Sequence, residues 1–562
     1  MRKRILALAM AALLGVSAFT GCGGVYQKDD SAKNDTTKTN TSSDVTAAAT
    51  ATATGDKIFK YSINDEPPTL DPQLVNAMYG ATLDYQLFEG LMRNNNGKLE
   101  PACAETYDLS EDGLTYTFHL RKGLKWSDGS DLTAKDFEYG MKRLVDPKTA
   151  SPSSYMGTIL KNASKVMAGE MTVDQLGVKA TDDLTLEITL ENPAGYFLGV
   201  LSTCGYYPCK QELVDKYGKD FSADADKNVY NGPFQLTDWQ HQASLTMKKN
   251  TNYWNSELPK LDGVQISIVK DKNTALGMYE SGELDYVTVP FAMAANYPTA
   301  QDYYTGGVEY LQLNVANEKN PILANKNFRN ALSAAIDREQ YVALATNNIS
   351  EATSRYVLPK VNGASKTYGE EYPLDAFSTK SDTAAAQKYL ADAMKECNIA
   401  KASDIKVVFN VADADSSRKS AEVIQEQLQK NLGIVIEINQ VPYKQLYELH
   451  AKHDYEMMFT GWVPDYSDPF SYLEFFETGN GYNNSVYSST DYDKYIQASK
   501  TTTDPKARLE ALFEAEKILC SDLPIIPLDL TKQKYLLNPR VKDFSIYFVG
   551  TNENYISADI TE

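Results

Sequence analysis

A single carboxylate, Asp465, follows an apolar, strand-like run in the stretch YEMMFTGWVPDYSDP, residues 455–469. The run at 457–459 is typical of a buried strand, and Trp462 lies between this run and the acid. Two interpretations are open. The sequence Asp-Tyr-Ser-Asp-Pro consists of residues that are common in turns, so Asp465 could be a turn residue. Alternatively, its carboxylate pairs with a positive charge that a ligand carries.

The elements that precede Asp465 predict an α/β sheet. Residues 405–411 and 434–438 have strand patterns. A helix is predicted between them, and it ends at Gly433, which is a favoured residue after a helix C-terminus. Its apolar stripe has helical spacing and consists of Ala421, Ile424, Leu428 and Leu432. Two strands joined through a helix usually pair in parallel.

A further helix over 443–452 leads into the strand at 455–459, so Asp465 follows the carboxyl end of a sheet strand. In open α/β sheets, ligands bind outside these ends. The position therefore favours a ligand role for Asp465. Elsewhere, alternation predicts a strand over 116–120, residues 231–239 indicate a turn that enters a strand, and Thr133 and Asp382 are predicted to cap helices.

Length and charge narrow the class of protein. The chain has 562 residues, which is enough for two or three domains. It is 43% hydrophobic and 23% charged, as ordinary globular proteins are. The formal charge is −20 and the basic residues are not clustered, which argues against a nucleic-acid partner. No run in the body of the chain reaches the roughly 18 apolar residues of a membrane span.

The N-terminus predicts export and lipid anchoring. Basic residues 2–4, an apolar run over 5–19 and two small residues precede Cys22, so residues 1–21 form a signal peptide. Residues 19–22 resemble the bacterial lipobox, whose cysteine becomes the lipidated first residue; an ordinary cleaved signal is the alternative. Residues 22–55, rich in Thr, Ala, Ser and Asp, predict a flexible tether. We therefore expect a protein held at the outer face of the cell membrane by lipid alone.

The cysteines predict one local bond. Cys204 and Cys209 flank the turn-like sequence GYYP, and an exported location permits a disulfide between them. The remaining cysteines of the body are predicted to be buried thiols: Cys103, Cys397 and Cys520.

The sequence gives no sign of a catalytic or metal centre. The chain has four histidines, and the one close pair, His450 and His453, lies on a predicted helix without a third ligand. A solvated helix face is favoured there over a metal site. Gly-x-Ser-x-Gly and His-Glu-x-x-His motifs do not occur in the sequence, so we expect no enzyme, no metal and no cofactor.

Seven short motifs in order carry a resemblance to a known family. Together they resemble the oligopeptide-binding lipoproteins of ABC importers, the family 5 class of extracellular solute-binding proteins, over essentially the whole mature chain. The motifs are LDPQ (70–73), LFEGLM (87–92), LRKGLKWSDGSDLTAKDF (120–137), NGPFQL (231–236), YWN (253–255), FRNALSAAIDR (328–338) and GWVPDYSDP (461–469).

The resemblance implies a periplasmic-binding-protein-like α/β fold. Two α/β lobes are joined by two crossovers and close on a ligand, and an extra domain is inserted in the first lobe. We expect lobe I over 56–87, 219–306 and 532–562, the inserted domain II over 88–218, and lobe III over 307–531. The chain thus returns to lobe I at its C-terminus.

The resemblance also implies a site. In the family, the carboxylate after Gly-Trp binds the α-amino group of a peptide, and Asp465 matches this position. The backbone at Gly461 and Val463, on either side of Trp462, would pair with the peptide main chain as an added strand.

Further pocket positions follow from the same resemblance: Tyr443 as a pocket aromatic, Tyr310 and Gln312 where the second crossover enters the cavity, and Asn76 and Met78 on the facing lobe. Some relatives have a basic residue where Phe459 stands, so recognition of the peptide carboxylate is not carried over. Arg418 and Lys419 are the nearest basic candidates, against a solvated helix start as the alternative.

The implied function is capture of extracellular oligopeptides by a monomer and their delivery to integral-membrane permease subunits, which work with cytoplasmic ATPases. The alternative is another solute in the same fold: a signalling peptide, a nickel chelate or an oligosaccharide. Asp465 speaks against sugars and chelates, because neither carries an α-ammonium group. Peptide length and side-chain preference stay open.

Overall fold

A computed structural model of the protein describes residues 56–549 and 553–561. The predicted signal peptide, Cys22 and the tether lie outside the described residues. Within the described ranges, every helix is too short or too polar to cross a membrane.

The strands and helices alternate along the chain. The strands are β1 Ile58–Ile63, β2 Met92–Asn95, β3 Lys98–Pro101, β4 Ala104–Leu109, β5 Thr115–Leu120, β6 Val178–Asp182, β7 Thr185–Thr189, β8 Phe234–Gln240, β9 Ser244–Lys249, β10 Gly263–Ile268, β11 Tyr286–Val289, β12 Gln301–Leu313, β13 Glu351–Ala352, β14 Lys406–Ala412, β15 Val435–Val441, β16 Met457–Trp462, β17 Ile525–Leu537, β18 Val541–Lys542, β19 Ser545–Ile546, β20 Glu553–Asn554 and β21 Asp559–Ile560. The helices are α1 Met78–Leu87, α2 Ala134–Val145, α3 Ala163–Met167, α4 Phe197–Val200, α5 Gln211–Tyr217, α6 Lys272–Glu280, α7 Lys326–Ala335, α8 Arg338–Ala345, α9 Tyr368–Glu371, α10 Thr383–Glu396, α11 Asp415–Leu432, α12 Tyr443–Ala451, α13 Phe470–Leu473, α14 Thr490–Thr501 and α15 Pro505–Asp522.

One large mixed sheet runs through the molecule. Its strand order is β15-β14-β16-β12-β17-β11-β1-β10-β9-β8, and β13 pairs with β17 beside this path. The β14-β15, β14-β16 and β1-β10 pairs are parallel, whereas β12 is antiparallel to both β16 and β17. The predicted α/β class is confirmed.

Two long strands, β12 and β17, connect the two ends of this sheet. Residues 301–304 pair with 532–535 beside β11, and residues 308–312 pair with 525–530 beside β16. The register shifts between these two segments. Gly306 lies in the shift with φ +80°, and a Cβ there would stand 2.1 Å from the Phe548 carbonyl oxygen. The predicted lobe boundaries at 306/307 and 531/532 fall at this break; the division into lobes stays a prediction.

Residues 88–218 contain a second sheet. Its order is β4-β5-β7-β6, all antiparallel, and β5 contains the strand predicted over 116–120. Thr133 precedes α2, and its backbone N–H donates to the Asp136 carboxylate at 2.7 Å. The apolar face of α2 is buried through Phe137, Met141 and Leu144.

The strand–helix–strand unit predicted from 405 to 438 is confirmed as parallel β14 and β15 joined by α11. The predicted stripe of α11 is buried, and Gly433 ends the helix with φ +70°. Asp382 caps α10, because its carboxylate accepts from the Ala385 N–H at 2.9 Å. Strand β16 continues to Trp462, three residues past the end predicted at 459.

The predicted disulfide is wrong. Cys204 and Cys209 are both free thiols. Cys204 begins a short 3₁₀ turn, and its thiol lies 3.7 Å from the Ala81 carbonyl oxygen. Cys209 is buried beside Arg143 instead, with an N–Sγ distance of 3.3 Å. The two side chains therefore point to different neighbours. Cys103 and Cys520 are buried thiols as predicted, whereas Cys397 is partly exposed.

The prediction that His450 and His453 lie on a solvated helix face is also wrong. Helix α12 ends at Ala451, so His453 lies beyond it, with φ +56°. His450 is partly buried against β12, and its Nε2 lies 2.7 Å from Oε1 of Gln312. Because an amide oxygen only accepts, the imidazole donates here. Burial, followed by the charge of His453, lowers the pKa of His450 to about 4.

Candidate functional site

A cavity of about 580 Å³ lies between segments from all three predicted domains. Residues 75–85 line one side, residues 152–156 and 202–207 of the inserted domain line a second, and residues 443–482 line a third. This volume is in the range of roughly 300–1,000 Å³ that is typical of ligand sites. The aromatic lining residues are Tyr85, Tyr155, Tyr207, Tyr443, Tyr447, Trp462, Phe475, Tyr482 and Tyr547.

The loop after β16 places Asp465 on this cavity. Strand β16 is fixed in register on β12, with Trp462 opposite Val308. Ser471 then holds the loop at two points. Its carbonyl accepts from the Trp462 indole N–H at 2.8 Å, and its hydroxyl accepts from the Asp465 backbone N–H at 3.1 Å. The strand and Ser471 therefore fix the backbone from which the Asp465 side chain extends.

The Asp465 carboxylate has a neutral partner. The Tyr155 hydroxyl, from the predicted inserted domain, donates to Oδ2 at 2.8 Å. Burial raises the pKa of Asp465 to about 6, and the hydrogen bond from Tyr155 acts in the opposite direction. Among the described residues, Asp465 has no Lys, Arg or His nitrogen within 4 Å. A buried carboxylate without a cation is stabilised by any cation that enters the cavity.

A neighbouring acid, Asp468, stabilises the turn that follows β16. Asp468, rather than Asp465, accepts from a backbone N–H of the following turn, that of Phe470 at 2.8 Å. Asp468 also pairs with the buried Arg508 guanidinium at 2.7 Å. This division supports the ligand interpretation of Asp465.

Residues of the predicted inserted domain contact residues of predicted lobe III around this site. Tyr196 stacks on Phe470 with ring centroids 4.6 Å apart and on Tyr466 at 5.5 Å. The Arg508 guanidinium lies over the Tyr196 ring at 4.9 Å. The Tyr155–Asp465 hydrogen bond is thus part of a larger contact that joins two walls of the cavity.

The structure brings together six of the residues predicted for the site. Tyr443, Trp462, Val463 and Asp465 line the cavity from predicted lobe III, and Asn76 and Met78 line it from the opposite side. Tyr443 is the most accessible of the exposed apolar side chains, at 72%.

Four predicted residues lie outside the cavity lining. Gly461 pairs with Glu309 in the β16–β12 ladder. Tyr310 is buried in β12, edge-on to another tyrosine. Gln312 is buried as well, because Ser485 and His450 satisfy its side chain. Arg418 is exposed and pairs with Asp415 of its own helix at 3.3 Å.

One edge of β16 is available for backbone pairing. Strand β14 pairs with Met457 and Met458 alone, so residues 459–462 have no partner on that side among the described strands. Free N–H and C=O groups along a strand edge are the groups that an extended peptide uses when it adds to a sheet.

The sequence interpretation missed several aromatic residues of the lining, among them Tyr155 and Tyr447. The spacing signal for Tyr447 was present, because it follows Tyr443 by four residues on one helix and both are exposed. Tyr155 had no such signal. It lies in a short 3₁₀ helix, Ser154–Ile159, and meets Asp465 through domain packing.

Comparisons with known proteins agree with this geometry. Residues 98–484 match the sequence profile of the bacterial extracellular solute-binding proteins, family 5 Middle. The chain is 33% identical over 557 residues to the dipeptide-binding protein DppE of Bacillus subtilis, covering 98% of each chain. It is 32% identical over 514 residues to the oligopeptide-binding protein OppA of Bacillus subtilis, covering 89% of this chain and 92% of that one.

A solved structure of Listeria monocytogenes OppA bound to peptide has the same fold. Its TM-score with this chain is 0.75 at 30% sequence identity, and the match covers 91% of this chain and 100% of that chain. The predicted periplasmic-binding-protein-like fold class is therefore confirmed.

Proposed function

Because the chain belongs to the bacterial extracellular solute-binding proteins of family 5, we propose that it captures oligopeptides in the cavity and delivers them to the permease of an ABC importer. The observation that carries this proposal is the Asp465 carboxylate, which is held at a strand end, faces the cavity and has no cationic partner among the described residues. A peptide's α-ammonium group supplies the missing charge.

The rest of the cavity suits a peptide main chain with varied side chains. The open edge of β16 next to Val463 offers backbone groups for an added strand. Aromatic walls give large, rigid contact areas that do not require one particular side chain. The family is one of solute-binding proteins, and we assign no catalytic step to this cavity.

The test is a thermodynamic cycle that combines a substitution at Asp465 with acetylation of the peptide's amino terminus. Asp465→Asn should weaken binding of a free peptide, and acetylating the peptide's amino terminus should weaken its binding to the wild type. Breaking a buried ion pair costs about 3–5 kcal/mol, which is roughly two to four decades in affinity. The combined change should cost far less than the sum, because both remove one interaction.

The matched control is Asp415→Asn, which changes an exposed acid at the start of α11 and should leave the affinity unchanged. Calorimetry that finds acetylated and free peptides equally tight on the wild type would overturn the amine role of Asp465.

The anchor is a further part of this proposal. We infer that Cys22 carries the lipid and that residues 22–55 link it to a monomeric body, which binds the integral-membrane permease subunits. Several acyl chains on one residue are enough to hold a soluble body at a membrane. Cys22→Ala should appear in the medium or remain unprocessed, and equal membrane retention of the variant would refute the anchor.

A closing motion at the register shift completes the proposal. Strands β12 and β17 change register between 304 and 308, where bending disrupts few ladder bonds. Small-angle scattering should give a smaller radius of gyration with bound peptide than in a verified ligand-free sample. An unchanged radius would indicate a rigid binding module.

A further inference from the structure

A second cavity of about 280 Å³ lies behind the amine site. We call it the side chamber. It shares two lining residues with the main cavity, Tyr155 and Met156, so that one short turn of the inserted domain separates the two spaces. Its opposite wall comes from lobe III and includes Tyr466, Phe470 and Glu474.

The ionisable groups of the side chamber are not all paired with an opposite charge among the described residues. Lys500 lines it, but its ammonium is paired with the Glu477 carboxylate. Glu191 lines it as well and accepts from the Asn162 N–H at 2.9 Å. Glu474 is the remaining ionisable group, and a weak hydrogen bond with the Tyr466 hydroxyl at 3.3 Å is its side-chain contact. Among the described residues, no cation lies within 4 Å of Glu474.

The pKa of Glu474 reflects the lack of a cationic partner among the described residues. Burial, followed by the negative charge of Asp465, raises the pKa of Glu474 to about 8, while the Lys500 ammonium acts in the opposite direction. The two carboxyl groups are therefore close enough to repel each other. The rings of Tyr196 and Phe470 stack on each other in the chamber wall, and the Arg508 guanidinium already lies over both.

We propose that the side chamber receives the basic side chain of a ligand's first residue, so that the protein favours peptides that begin with lysine or arginine. This inference rests on the proposed function, because it needs the α-ammonium group at Asp465. An ammonium that replaces the Tyr155 hydroxyl there displaces part of the turn between the two spaces. The first side chain can then extend to Glu474, which loses its proton to the solvent and pairs with the incoming cation.

Calorimetry with three peptide pools tests this. Each pool contains alanine peptides of two to six residues, and the first residue is lysine, norleucine or alanine. Norleucine retains most of the apolar length of lysine without the charge. We expect the lysine pool to bind the wild type about tenfold or more tighter than the norleucine pool. In Glu474→Gln, the two pools should bind alike, with the norleucine affinity unchanged.

Proton release gives a readout that folding defects do not imitate. At pH 7 the lysine pool should release a proton from Glu474 on binding, seen as a binding enthalpy that depends on the buffer, and the norleucine pool should not. The groups that bias this titration are Asp465, Asp468, Lys500 and Tyr466. Asp415→Asn is the control and should retain the preference for lysine.

The outcomes separate the two proposals. If none of the pools binds, peptide capture itself is wrong. If all bind but lysine and norleucine are equal on the wild type, the side chamber does not select a cation and this inference fails, while peptide capture stands.

Discussion

The hydroxyl of Tyr155 donates to Oδ2 of Asp465 at 2.8 Å, which connects the 3₁₀ helix Ser154–Ile159 to the loop after β16. The bond pairs a carboxylate with a neutral donor, in a position where many buried acids have a lysine or an arginine. An incoming ammonium therefore competes with a phenol and not with a fixed positive charge. Since a hydrogen bond to a carboxylate favours its charged form, the pair also determines when Asp465 ionises.

Tyr155→Phe should raise the pKa of Asp465 above its value of about 6, because burial then acts without the opposing hydrogen bond. Carboxyl carbon shifts followed by NMR over a pH titration measure this. Tyr447→Phe changes a hydroxyl in the same cavity that does not contact Asp465, and the pKa should stay where it is. A pKa that falls in Tyr155→Phe would contradict the assigned bond.

Binding of a free peptide should depend on pH in two directions. Below about pH 6, Asp465 in the empty protein is protonated, so affinity should fall up to about tenfold for each pH unit of acidification. Above about pH 8, the peptide's own amine loses its proton and affinity should fall again. Calorimetry across this range should give a bell-shaped profile for free peptides. An acetylated peptide with the same profile would show that other groups cause it.

Asp465→Asn should stabilise the ligand-free protein while it weakens binding. The folded pKa is raised from 3.8 to about 6, so the stability that this group contributes is present at low pH and is lost as pH rises through about 6. At pH 7.5 the wild type therefore carries a buried charge that asparagine removes. A gain of about 1–3 kcal/mol follows from the size of the shift. Urea unfolding measures it, and a less stable variant would contradict the prediction.

The reactivity of the cysteines tests whether Cys204 and Cys209 are free thiols. Alkylation of the unfolded protein without reductant should label both Cys204 and Cys209, because both are free. Reductant should leave the unfolding midpoint unchanged. In the native state Cys209 should react slowly, since burial raises the pKa of its thiol to about 12. An unreduced protein that is lighter by two hydrogen atoms than the reduced one would show that the disulfide forms after all.

Local signals in the sequence were sufficient for much of the fold. The stripe of α11 and Gly433 gave the parallel β14–α11–β15 unit, and the acid after Trp462 was placed at a strand end as the structure has it. These features depend on residues close together in the chain, where periodicity and capping act.

Contacts between distant segments could not be predicted in the same way. Tyr155 and Asp465 are 310 residues apart, and neither segment indicates the other. Gln312 is a polar residue at a predicted cavity position, but the structure satisfies it with His450 instead. Whether a polar side chain faces a cavity or a buried partner depends on packing that one sequence does not reveal.

Two glycines with nearly equal φ angles, Gly306 and Gly282, differ in the atoms that surround them. Gly306 has φ +80° and Gly282 has φ +81°. A Cβ at Gly306 would stand 2.1 Å from the Phe548 carbonyl oxygen, whereas a Cβ at Gly282 would meet nothing within 4 Å. Both alanine variants carry the strain of a left-handed residue, about 1–2 kcal/mol.

Gly306→Ala should therefore lose clearly more stability than Gly282→Ala in urea unfolding, because it adds a collision with backbone to the same strain. Relief of that collision requires the segment around 548 to move away from the register shift between β12 and β17. Equal losses of stability in the two variants would mean that the contact between Gly306 and Phe548 does not constrain the crossovers.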